Sequence, residues 1–252
     1  MTSGMLGVGG AIVMIPLLLY APPALGVGLL DVKSVAAITL AQVMVAALSG
    51  AIAHGRHRAV SAPLAWVGGV SMAVGSFSGA VASHYVTANV LLLVFGLMVI
   101  AAGILLAVQP DTPEMPIFAE NVEFSRVRAA AVAMGVGCAA GIVGAGGAFL
   151  LVPLLLVIVH VPLRVTIGSS LGITAVGALA GFVGKVITGQ VPLVPALAVA
   201  AGAIPGAQVG AAVSRRLSGR QLKLLLFTVI AVTAIRVWFD LIERWITPVS
   251  AP

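Results

Sequence analysis

Apolar residues along this chain come in long runs, and charged residues are confined to short gaps between them. Charges and Pro/Gly clusters mark off eight apolar blocks: residues 3–20, 32–53, 60–83, 87–108, 127–160, 163–184, 191–213 and 221–242. Most have the length that one helical crossing of a bilayer needs, roughly 20 residues. Inside lipid every peptide N–H and C=O must be satisfied within the protein, so runs this rich in Gly, Ala, Leu and Val predict helices. A β-barrel would show short segments of alternating polarity, which are absent. The polar stretch 109–126 holds Asp111, Glu114, Glu120, Glu123 and three prolines. It predicts a loop between two membrane halves, 1–108 and 127–252, of an all-α integral membrane protein.

Block five departs from the pattern. From Ala129 to Val159 it runs over 30 residues without a charge, too long for one crossing and too short for two. Gly144-Ala145-Gly146-Gly147 sits in its middle, where each glycine costs a helix about 1 kcal/mol against alanine.

An internal repeat explains the oddity. Residues 4–19 read GMLGVGGAIVMIPLLL and residues 141–156 read GIVGAGGAFLLVPLLL, an offset of 137 from Gly4 to Gly141. Four glycines, an alanine and a proline coincide in register. The match continues at an offset of 131: Lys33 meets Arg164, Thr39 meets Ser170, His54 meets Lys185, and Gly75/Gly79 meet Gly206/Gly210. The glycine pairs at four-residue spacing read as helix-packing positions.

Composition agrees with a bilayer environment. The 252 residues are 61% hydrophobic and 8% charged, against about a quarter charged in soluble domains. This excludes a cytosolic enzyme, a disulfide scaffold and a nucleic-acid-binding domain. The net charge of +6 comes from 13 Lys and Arg scattered between blocks, where they serve as topological anchors. Cys138, the single cysteine, lies in an apolar run and reads as packing. No basic segment follows Met1, so no cleavable signal is expected.

Charge placement selects a topology. If all eight blocks cross, the basic residues divide six against six. If blocks one and five dip in and return, each half makes three crossings and the halves are antiparallel. Arg56, Arg58, Arg126, Arg128, Arg164, Arg215, Arg216, Arg220 and Lys223 then share one side, nine against three. That asymmetry is the usual cytoplasmic bias. The expectation is two inverted-topology repeats, each a broken, re-entrant glycine-rich helix plus three transmembrane helices, a plan common to secondary transporters. The first repeat shows only the returning arm of its hairpin, so the inbound arm is expected to be short or missing.

The glycine breaks suggest chemistry. Helices starting after Gly9-Gly10 and Gly146-Gly147, with Ala11 and Ala148 as first residues, would expose unpaired N–H groups and positive dipole ends. Two such ends converging would hold an anion without a buried lysine. Thr39 and Gln42 in the first half, and Ser169 and Ser170 in the second, could add hydrogen bonds. Their plain alternative is back-bonding to their own helices. His54 and Lys185 read as snorkelling end-caps, and Arg236 as paired with Asp240. No acidic residue lies mid-membrane, no phosphate-binding loop is present, and no His/Cys/Asp/Glu cluster has metal-ligand spacing. No metal, cofactor or catalytic group is therefore expected, and the partners are a small anionic substrate and membrane lipid. The oligomeric state, a homodimer included, is left open.

The doubled G-x-G-G-A-x-x-x-x-P-L-L-L motif, with Lys33/Arg164 and the Thr39 and Ser169-Ser170 stretch, resembles the TauE/SafE sulfite exporter family over essentially the whole chain. The resemblance implies an anion exporter of the bacterial plasma membrane, moving sulfite or organosulfonates such as sulfoacetate by alternating access, with basic loops cytoplasmic. The first half departs from the second in reading Ala37-Ile38-Thr39 where the second has Gly168-Ser169-Ser170. Passage of another anion such as thiosulfate would use the same cage. A remote alternative is an intramembrane hydrolase using Ser169 or Ser170 with His160.

Overall fold

The computed structural model describes residues 11–24, 26, 28, 30–55, 60–108, 124–214 and 231–239, with isolated positions at 221, 224, 228 and 242. The described residues form helices and no strand. In chain order these are α1 (Ala11–Ala24), α2 (Val32–Gly55), α3 (Ala62–Ala82, continued by a 3-10 turn Ser83–Tyr85) and α4 (Ala88–Val108). The second half gives α5 (Arg126–Val143), α6 (Ala148–Leu154, continued by a π-helical turn Leu155–Val159), α7 (Leu163–Ile187) and α8 (Leu193–Ser214). Residues 231–239 are also helical.

Five of these helices are long and apolar enough to cross a membrane: α2, α3, α4, α5 and α7. On α3, Trp66 and Tyr85 are 74% and 83% exposed, with Val70, Val74 and Phe77 open between them. Nineteen residues of helix separate the two aromatics, about 28 Å, which matches the hydrocarbon thickness whose borders such side chains favour.

Close glycine contacts fix the helix directions. On α3, Gly75 and Gly79 lie against the carbonyls of Met134 and Cys138 on α5. Gly137 and Gly141 of α5 lie against Met72 and Ser76 of α3 in return. Numbers rise together, so α3 and α5 run parallel, each presenting glycine where the other presents backbone. Gly68, Met72 and Ser76 of α3 meet Ile173, Gly177 and Gly181 of α7 in the same ascending order. Thus α3, α5 and α7 all point one way. Lys33, at the start of α2, donates from Nζ to the carbonyl of His84 at the far end of α3 (2.8 Å), so α2 runs opposite.

Because α5 and α7 are parallel, the chain between them must come back. Residues 144–147 make the bend and α6 with its π turn makes the return. The inbound arm has 18 residues and the outbound arm twelve, seven in α6 and five in the π turn. The over-long block five is therefore an unequal hairpin with both feet at the Ser61 end of the bundle.

Candidate functional site

The bend is built from glycine because of its backbone angles. Gly144, Gly146 and Gly147 have φ of 80°, 63° and 73°, a region that costs other L-residues roughly 1–2 kcal/mol. Gly144 caps α5, its N–H donating to the Ala140 carbonyl (2.8 Å). A Cβ on Gly144 would run into the backbone of Ala36, and one on Gly146 into the Val43 side chain. A Cβ on Gly147 would meet Val136, Ala140 and Met72 at 2.8–3.0 Å. The bend is thus pressed onto the stretch of α2 that carries Thr39 and Gln42, between Ala36 and Val43.

Beyond the bend, the amides of Leu150 and Leu151 donate to the Gly147 carbonyl (3.1 and 2.9 Å). The N–H groups of Gly146, Gly147, Ala148 and Phe149 have no backbone acceptor among the described residues. All four residues are buried. Buried amides without acceptors are rare, because each forfeits its hydration. Phe149 pins this first turn edge-on against Phe95 of α4, centroids 6.3 Å apart. Pro153 then withholds an N–H from the helical ladder, and the chain widens into the π turn behind it.

The other expected site residues divide in two. Gly9 and Gly10 lie outside the described residues. Ala11 is fully buried, as are Thr39 and Ala148, and Gln42 is 8% exposed. Thr39 gives its hydroxyl proton to the Val35 carbonyl (2.8 Å) and Ser170 gives its own to the Ile167 carbonyl (3.0 Å). Ser169 instead accepts the Ser61 amide (3.0 Å) at the start of α3. Ser61 is eleven residues, about 16 Å of helix, from the Met72 that touches Gly147. The fold brings Thr39, Gln42, Gly146, Gly147 and Ala148 to one region and leaves Ser169 and Ser170 toward the other end. Neither serine hydrogen-bonds His160, which is exposed.

Lys185 does not snorkel. It is wholly buried, with Nζ donating to Ser83 Oγ (2.5 Å), Gln190 Oε1 (3.0 Å) and the Ile142 carbonyl (3.4 Å). The signal was in the sequence: Gly177 and Gly181 precede it at four-residue spacing, so it shares the face that α7 packs tightly on α3. The hydroxyls of Ser76 and Thr174 are also buried, without partners among the described residues. Arg236 lies over the Tyr20 ring, 5.0 Å from its centroid, and Asp240 and the His54 side chain fall outside the described residues. The described residues contain no group of three or more His, Cys, Asp or Glu able to hold a metal.

Comparison with known proteins finds probable membrane transporters. The chain is 24% identical over 258 residues to the probable membrane transporter protein YunE of Bacillus subtilis, covering 94% of this chain and 93% of that protein. It is 32% identical over 168 residues to a probable membrane transporter protein of Xylella fastidiosa, covering 67% of this chain and 62% of the other. A third, the probable membrane transporter protein YdhB of Bacillus subtilis, is 25% identical over 94% of both chains. No solved structure matches. The sulfite exporter TauE/SafE family matches residues 1–237, and this multi-pass membrane protein belongs to it.

Proposed function

We propose that the protein is a secondary transporter that exports a small sulfur-containing anion, sulfite or an organosulfonate such as sulfoacetate, across the plasma membrane. One observation carries the reading: four consecutive buried amides, Gly146 to Phe149, have no backbone acceptor among the described residues, at the bend of a hairpin inside a helical bundle. Donors held in a water-poor site suit an anion, since hydrogen bonds to a charged group are worth about 1.5–3 kcal/mol each. In the sequence repeat Gly9 and Gly10 correspond to Gly146 and Gly147, and Thr39 and Gln42 lie on the stretch of α2 against which the bend rests. Thr39, its proton already given to Val35, serves by shaping the wall rather than by donating.

Alternating access follows from inverted halves moving against one another. Two packing relations support the inversion. The repeat mates α2 and α7 run antiparallel, and α3 packs on α7 as α8 packs on α2, the relation that exchanging the halves generates. The basic ends of α5 and α7 then lie at the cytoplasmic face, where they raise the local anion concentration modestly and in a salt-dependent way.

Ala148→Pro is the sharpest test. Proline fits the first position of a helix and deletes one donor while leaving the bend intact. Equilibrium binding and liposome flux of sulfite, sulfoacetate, thiosulfate and sulfate should weaken about tenfold for the transported anion, the loss of one charge-assisted hydrogen bond. Gly146→Leu, which collides with Val43, should abolish binding. Unchanged binding and flux of every anion in folded Ala148→Pro protein would sink the reading.

A further inference from the structure

A buried lysine rests against the end of the hairpin's inbound arm. Lys185 is completely buried, and its three donors go to Ser83, Gln190 and Ile142, all neutral oxygens. Ile142 is four residues before Gly146, so the ammonium touches the same hairpin whose other arm bears the unpaired amides. A second lysine is held by the adjacent residue of the same 3-10 turn: Lys33 Nζ donates to the carbonyl of His84, the neighbour of Ser83. Asp31 is the carboxylate closest in sequence to Lys33, and its Oδ2 accepts the Lys33 backbone amide. No carboxylate contacts Lys185 among the described residues.

Holding an ammonium among neutral dipoles away from water is strongly unfavourable unless an opposite charge comes near, and an anion bound at the bend would supply one. Fixing the ammonium to the Ile142 carbonyl also places it at the C-terminal end of α5, where the helix dipole favours a cation. That dipole explains where the charge can rest, and among the described residues no carboxylate meets it.

Resting on the reading above, we infer that Lys185 is the counter-charge of the anion site: a positioning residue that acts through the Ile142 end of the hairpin and makes the site prefer anions of higher charge. Its hydrogen-bonding capacity is spent, so it acts by its field rather than by contact. A field of this kind stabilises a dianion twice as much as a monoanion. A residue that merely staples α3, α5 and α7 together would shift both equally.

The test compares sulfate with methanesulfonate, which offer similar sulfur-oxygen heads with two charges and one. In purified full-length protein, Lys185→Gln keeps polar donors but removes the charge. It should weaken sulfate by about the square of the factor by which it weakens methanesulfonate, because the interaction scales with the charge of the anion. Lys185→Arg should keep the wild-type ratio of the two affinities. Equal weakening in Lys185→Gln, or no weakening, would overturn the inference, as would loss of the ratio in folded Lys185→Arg protein should the Gln variant not fold. Ala148→Pro separates the two ideas. If it weakens binding while Lys185→Gln leaves the ratio untouched, the amide site stands and the counter-charge falls. If it changes neither anion, the amide site itself falls, and the counter-charge with it.

Discussion

Glycine does two different jobs within one hairpin. Where α5 runs along α3, Gly137 and Gly141 have ordinary helical backbone and are needed because a neighbouring backbone occupies the place of a side chain. At the bend, Gly144, Gly146 and Gly147 are needed first for positive φ and then for space. The first use lets two helices approach without a hydrophobic drive between them, which lipid does not supply. The second breaks a helix inside the bundle and bares its amides. The comparison teaches that a glycine in a membrane segment marks either a contact or a break, and that only backbone angle tells them apart.

Substitutions can break or sharpen that contrast. Gly79→Leu should have the largest effect, since its side chain would enter the Cys138 carbonyl. A loss of about 3 kcal/mol or more, read as failure to recover monodisperse protein in detergent, is expected. Gly144→Ala combines φ of 80° with a collision at Ala36 and should cost about 2 kcal/mol by thermal denaturation. At Gly147 the neighbours are side chains, Met72 Cε among them, so the angle matters more than the space. Gly147→Asn should therefore be about 1 kcal/mol more stable than Gly147→Ala, because asparagine tolerates the left-handed region. Equal stabilities there would mean that space governs the bend as well. Gly135→Ala, where an added methyl meets nothing, should be the mildest and raise stability by up to about 1 kcal/mol.

Much of the fold was readable in advance. The boundaries drawn from charges and apolar runs fall within a few residues of α2, α3, α4, α7 and α8. The length of block five and its central glycines predicted a hairpin, and the break lies at 144–147. The polar side chains were harder. Thr39 and Ser170 occupy matching repeat positions, and both hydroxyl protons go to carbonyls of their own helices. Ser169 is adjacent to Ser170 in sequence yet bonds to the first residue before α3, a partner 108 positions away. No local pattern encodes such a contact.

By itself the sequence determined the solvent, the helices, the duplication and the place where block five turns. These depend on local physics: apolar length against bilayer thickness, and the angles that only glycine adopts cheaply. Tertiary structure alone decided that α3, α5 and α7 run together and that the bend rests on Ala36 and Val43. Those outcomes depend on which backbones approach one another, a matter of packing across distant segments that each segment's own residues leave undetermined.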